Sequence, residues 1–285
     1  MKRYLFLTLF AAILLIGLVV YQYLTFHDGK LHVVFCNVGQ GDAILIVTPN
    51  KKHIMVDTGP DASVVACLAR HMPFWERTID LAILTHPHSD HFMGLYHMLD
   101  RYSVLSFSTE KLDSKALSFQ EVKRELHAKN IPQHVVSAGD RFSIGDVSLT
   151  IAAPTKEFLQ QTSPDGMIGE SREFASVITH LSYGSFDLLL TGDSQAGELT
   201  DAANRIASSI DVLQSPHHGS ATGLDMPVLA LLQPKLVVIS VGKNNYGHPS
   251  PKTLTLLKEQ GITVLRTDKQ GDVELVSDGE RWRVR

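Results

Sequence analysis

The 285-residue chain is 44% hydrophobic and 20% charged, with a formal net charge of -4 and a sequence pI of about 6.4. This is ordinary globular composition, enough for one large domain or two small ones. The totals show no strongly basic nucleic-acid-binding face, and they leave room for a local basic groove. The two cysteines, Cys36 and Cys67, are too few for a disulfide framework and read as buried thiols rather than a bridge.

Lys2 and Arg3 precede an apolar run over residues 5–20 that continues through Tyr21, Tyr23 and Leu24. About 20 helical residues match a hydrocarbon core of about 30 Å. The two cations favour a cytoplasmic N-terminus, and tyrosines suit the outer interface. The competing reading is a cleaved signal peptide, but residues 21–26 hold no small-x-small cleavage pattern. Residues 1–27 are therefore expected to be a single-pass anchor and 28–285 an extracytoplasmic domain, secreted if the anchor is cut.

From residue 31 the pattern changes to short β-type runs and amphipathic helices. Strands are expected over 31–36, 43–48 and 53–57, punctuated by Gly39-Gln40-Gly41 and Pro49-Asn50-Lys51. A helix over 62–71, a buried strand over 81–84 and a helix over 92–99 follow. Next come a helix over 118–129, ended by Asn130 and Pro132, and a hairpin over 142–151. Residues 155–172 look least structured and suggest an insertion or lid. Strands at 176–183 and 187–190 open the second half. Helices at 195–207, 224–232 and 252–259 then alternate with strands at 212–214, 236–241 and 262–266, before a last hairpin around Ser277-Asp278-Gly279. Strands opening each half with helices after them imply two facing sheets with helices outside, in one α/β domain without a linker.

The chemistry concentrates in Thr85-His86-Pro87-His88-Ser89-Asp90-His91, between a buried strand and a helix. Three imidazoles and a carboxylate there match the ligands of borderline divalent metals. In an extended segment His86 and His88 project the same way and can reach one ion. Asp90 and His91, at the turn into the helix, can serve a second.

His-X-His-X-Asp-His resembles the signature of the metallo-β-lactamase superfamily. The likeness continues through Val56-Asp57-Thr58-Gly59, Leu190-Thr191-Gly192-Asp193 and Ser215-Pro216-His217-His218-Gly219-Ser220. Within the superfamily the chain is most similar to the β-lactamase-like domain of ComEC-type DNA-uptake proteins. That likeness rests on Val38-Gly39-Gln40-Gly41-Asp42-Ala43, Pro216-His217-His218-Gly219-Ser220 and Asn245-Tyr246-Gly247-His248-Pro249, and spans roughly residues 31 to 275.

The resemblance implies an αββα sandwich holding one or two ions of zinc, or alternatively manganese. His86 and His88 would hold the first metal, and Asp90 and His91 the second. Asp193 would bridge, with one histidine of the 217–218 pair completing the second site; His217, first after the strand, is preferred. Asp57 and Ser176 would act as outer partners. Where most relatives supply a third histidine to the first metal, this chain reads Glu173-Phe174-Ala175-Ser176-Val177. That site is then weak, or filled by water, Ser176 or Glu173, and His180 reads as a strand histidine rather than a ligand.

His248, in a loop after a buried strand, could bind a phosphate oxygen or protonate a leaving group. Lys243, Asn244 and Asn245 could hold an anion, although Lys243 alone also reads as a solvated side chain. The implied activity is metal-dependent hydrolysis, foremost of a phosphodiester such as DNA, with Asp90, Asp193 and His248 as catalytic residues and hydroxide formed at the metal as nucleophile. A small ester, lactone or β-lactam is the alternative substrate, and a non-enzymatic membrane-tethered accessory domain the alternative role. No protein partner is readable.

Overall fold

The computed structural model describes residues 2–168 and 175–285. Its N-terminal helix, Lys2–Phe26, is long and apolar enough to cross a membrane, and its side chains are almost all exposed. The remainder forms four layers, with two sheets face to face and helices on both outer faces.

The first sheet has eight strands. Its centre runs from Leu31–Phe35 through Ala43–Val47 and His53–Thr58 to Leu81–Leu84. The second has seven, and includes Ile178–Tyr183, Phe186–Leu190, Val212–Gln214 and Leu236–Ile239. Alternation along each strand assigns its residues to two cores. Val33, Phe35, Ile44, Ile46, Ile54 and Val56 meet Leu181, Leu188 and Leu190 between the sheets. Val34, Leu45 and Met55 face the helices Ser63–His71, Ser89–Leu99 and Leu117–Ala128. On the far side Leu189, Leu213 and Val237 meet Ala196–Ile206 and Met226–Leu232. Strands buried on both faces explain why the sequence shows apolar runs rather than strict alternation.

Strand direction positions the site. His53–Thr58 runs parallel to Leu81–Leu84, and Phe186–Leu190 runs parallel to Val212–Gln214, so the loops after all four strands leave from carboxyl ends. Those ends are the usual ligand-binding edge of α/β sheets. Of the stretch 155–172, expected to be least structured, residues 169–172 lie outside the described residues, and within the rest Lys156–Thr162 is a helix, capped by the Thr155 side chain. Glu173 and Phe174 lie outside the described residues.

The cysteines correct a second expectation, for they form a disulfide, with Cα atoms 5.8 Å apart. Cys36 shares the helix-facing side of its strand with Val34, and Cys67 lies on the buried face of Ser63–His71. A separation of 31 residues hides that proximity in the sequence. Closing a loop of that size stabilises the fold by about 3–4 kcal/mol in the chain-entropy picture.

Beside the bridge, Asp272 accepts hydrogen bonds from the Asn37 backbone N–H, the Arg70 guanidinium and His71 Nε2 at 2.8–3.0 Å. Burial opposes its charge, but the donors of His71, Asn37 and Arg70 outweigh burial and draw the carboxyl down to about 2. The folded pKa lies below the ordinary 3.8, so this stabilisation is present above that pH and lost as pH falls through about 2. Asp272→Asn should therefore cost about 1–3 kcal/mol at neutral pH, towards the low end because Arg70 is half exposed. Urea unfolding of both chains should show the gap closing in acid; a gap unchanged below that range would count against the assignment.

Candidate metal centre

Three loops and the end of the strand His53–Thr58 converge at the carboxyl edge of the two sheets. Leu81–Leu84 delivers residues 85–91, with His86 and His91 fully buried. Phe186–Leu190 delivers Asp193, and Val212–Gln214 delivers the 217–218 pair. The backbone bends sharply to do this. Asp57, His217 and His218 all take left-handed φ values of 56°, 51° and 53°, at a cost of about 1–3 kcal/mol each that the surrounding packing must hold. Gly192, at φ 49°, needs its missing side chain, because a Cβ there would collide with Ser176 Oγ.

Two clusters share Asp193. His86, His88 and Asp193 form one, and Asp90, His91, Asp193 and His218 the other, the ligand atoms of each lying within 4.8 Å of one another. In the first, His86 Nε2 is 3.0 Å from His88 Nδ1 and 3.7 Å from Asp193 Oδ2. In the second, His91 Nε2 and His218 Nε2 lie 3.2 and 3.6 Å from Asp193 Oδ1, and His218 Nε2 lies 3.3 Å from Asp90 Oδ2. The structure places His218, 2% exposed, in this cluster, where the sequence reading preferred His217. His217 Nε2 is 3.8 Å from the other Asp193 oxygen, on the cleft side.

An outer layer fixes which ring nitrogen faces inward. His91 Nδ1 donates to Asp57 Oδ2 at 2.7 Å, and His218 Nδ1 donates to the Ser240 carbonyl at 3.0 Å. Asp57 also accepts from the Thr85 amide and hydroxyl, while Thr85 Oγ1 is 3.1 Å from His86 Nδ1. Ser176 Oγ accepts from the Asp193 amide at 3.2 Å. His180 pairs with Asp187 at 2.8 Å, within its own hairpin. Asp57→Asn is expected to weaken metal binding by about 10–100-fold with the inner ligands unchanged; equal affinity in a chelator competition would remove Asp57 from that role.

Asp42 and Gln214 belong here although sequence reasoning gave them no part. Asp42 accepts from Gln214 Nε2 at 2.8 Å and lies 3.8 and 3.7 Å from the Nδ1 atoms of His91 and His218. The available signal was an acid directly after a Gly-Gln-Gly turn and ahead of a wholly apolar strand.

The electrostatics suit a cation. Four carboxylates, Asp42, Asp57, Asp90 and Asp193, are gathered in and behind the clusters, and among the described residues no lysine or arginine pairs with them. Burial pushes Asp42 up to about 6, against the pull of His218 and His91. Burial alone would lower His218, but Asp193 and Asp42 outweigh it and raise the imidazole to about 9; His91 is raised in the same way by Asp193, Asp57 and Asp90. Burial and the neighbouring His91 charge hold His86 well below its ordinary value, the neutral form a ligand needs. His91 Nε2 and Asp193 Oδ1 are buried and face each other at 3.2 Å, with no other hydrogen-bond partner among the described residues completing either atom. The donor set therefore fits one or two divalent ions.

A cleft of about 1010 Å³ opens over the clusters, lined among others by Gln40, Lys115, His217, Tyr246 and His248. The His248 ring packs edge-on against His217 at 5.1 Å. Asn244, considered above as an anion contact, instead ties its own loop together through Gly242, Tyr246 and His248.

The metallo-β-lactamase superfamily profile matches residues 36–243, which include every ligand candidate above. The chain belongs to that superfamily. It is 28% identical to ComE operon protein 3 of Bacillus subtilis over 87% of its own length and 33% of that protein's. It is 25% identical to competence protein ComA of Neisseria gonorrhoeae over 93% of its length and 35% of that protein's. The chain thus spans about a third of the length of each of these two relatives. The metallo-β-lactamase fold protein YhfI of Bacillus subtilis superposes with a TM-score of 0.54 at 12% identity, covering 86% of this chain and 99% of that one, a likeness of fold. The superfamily assignment makes this a metallo-β-lactamase-type hydrolase scaffold with a candidate metal centre at the usual edge.

Proposed function

We propose that the chain is a metal-dependent phosphodiesterase, acting on nucleic acid from the outer face of the cytoplasmic membrane. The observation that carries this reading is the pair of clusters sharing Asp193, an arrangement suited to clamping both oxygens of an in-line phosphoryl displacement. His86, His88 and Asp193 would hold one ion, and Asp90, His91, Asp193 and His218 the other. Zinc or manganese held there would supply Lewis acidity to the ester and lower the pKa of water towards neutrality. Asp57, Thr85 and Ser240 keep the imidazoles aimed. A water that has given one proton to solvent would bond through its oxygen to phosphorus as the P–O ester bond breaks, while His248, entering protonated, would give its proton to the leaving oxygen. An open cleft of about 1010 Å³ leaves room for a polymer, and the relatives' names, competence and ComE operon proteins, fit a DNA substrate.

Placement outside the cytoplasm is supported by the apolar N-terminal helix after Lys2 and Arg3 and by the Cys36–Cys67 disulfide. The test is an assay of the full chain in lipid nanodiscs with zinc or manganese, on an aryl phosphodiester, a lactone and single- and double-stranded DNA. Phosphodiester cleavage lost in Asp193→Ala supports the reading. Lactone turnover without phosphodiester cleavage would replace it with a small-ester hydrolase, and inertness on all four would favour an accessory domain.

A further inference from the structure

The turn closed by the Glu76 amide on the Pro73 carbonyl carries two large aromatic side chains at its tip. Phe74 and Trp75 are 46% and 41% exposed, with rings edge-on at 4.9 Å. On an isolated soluble domain, two adjacent tip aromatics have no evident purpose. Their position supplies one. The Phe74 amide donates to Gln22 Oε1 at 3.1 Å, which ties the tip to the last turns of the N-terminal helix.

The height of that contact follows from helix geometry. Arg3–Phe26 has 24 residues, which span about 36 Å at 1.5 Å per residue. A hydrocarbon core of about 30 Å leaves about 6 Å, the final turn, in the interfacial layer. Gln22 sits at that boundary, flanked by exposed Tyr21 and Tyr23. A second loop reaches the same height, for Lys51 Nζ lies 5.5 Å from the centre of the Tyr23 ring. Tryptophan and tyrosine favour this layer, and lysine extends from it towards the headgroups.

We propose that the 73–76 turn is a second membrane contact: Phe74 and Trp75 lie in the interfacial layer of the bilayer that holds the N-terminal helix, and fix the tilt of the domain against the lipid surface. The occupant of this surface is lipid, continuous with the lipid around Tyr21 and Tyr23. The proposal rests on the reading that the helix spans the bilayer, and is independent of the chemistry of the metal centre.

The chain has two tryptophans, so Trp282→Phe leaves Trp75 as the sole reporter. The full chain is reconstituted in phosphatidylcholine–phosphatidylglycerol vesicles carrying a nitroxide near either the headgroup end or the methyl end of the acyl chain. Trp75 should lose emission to the shallow label, as an interfacial tryptophan would, lose less to the deep one, and be shielded from aqueous iodide. In Trp75→Phe, which keeps Trp282, the lipid quenching should vanish; this comparison stands even if Trp282→Phe folds poorly. Free access of iodide to Trp75 with no quenching by either label, in chain that resists alkaline extraction, overturns the contact. Chain stripped from the vesicles by alkali overturns the membrane-spanning helix and the contact with it, a failure seen in a separate measurement.

Discussion

Asp193→Ala is expected to abolish metal-dependent turnover and metal binding together. Its two oxygens face different clusters, Oδ2 towards His86 and Oδ1 towards His91 and His218, and no other residue belongs to both. Losing it should remove several kcal/mol of metal-assisted stabilisation, about three orders of magnitude in rate. A readout free of activity is available. Metal at about 100 times its dissociation constant should stabilise the parent chain by about 2.7 kcal/mol, and Asp193→Ala should show no such rise in Tm. A variant that kept the full metal-induced rise would show that the clusters do not share Asp193 as described.

The second large effect separates neighbouring histidines. Both occupy left-handed backbone, where alanine would add strain, so asparagine is the better probe because it tolerates that conformation. His218→Asn should lower metal affinity by at least about 100-fold, beyond the range for outer partners. It removes the imidazole whose Nε2 lies 3.3 Å from Asp90 and 3.6 Å from Asp193. His217→Asn should leave bound metal nearly unchanged and act on turnover through the cleft wall it shares with His248. Metal analysis after dialysis checks both. The opposite order, with His217→Asn losing metal and His218→Asn keeping it, would restore the assignment that the sequence alone favoured.

That reversal shows where sequence reasoning ran out. The His86–His91 segment and Asp193 were recognisable because residue type and chain order together imply convergence at strand ends. The 217–218 pair was not decidable, because the choice depends on two consecutive left-handed residues that no periodicity announces. Asp42 was visible as part of a turn but had no role until the fold placed it behind His91 and His218. Layer order followed from strands opening each half with helices after them, whereas the Cys36–Cys67 pair depended on how a helix packs over a strand whose cysteine lies 31 residues away. Short strands such as Phe107–Thr109 and Gln133–Val135 escaped notice because two or three residues carry too little pattern.

The Cys36–Cys67 bond also bears on how this protein should be prepared. Cys36 directly follows the strand Leu31–Phe35, at the start of the segment that leads into the Gly39-Gln40-Gly41-Asp42 turn, and Gly41 packs against the backbone of Asp90. Material made in a reducing cytosol would lack that tether, leaving the turn that carries Asp42 held by packing and by hydrogen bonds such as those of Asp42 with Gln214 and with the Asp90 carbonyl. Recombinant batches exported to an oxidising compartment and batches harvested from the cytosol should then differ in denaturant midpoint, and purification under strong thiol reductant would erase the difference.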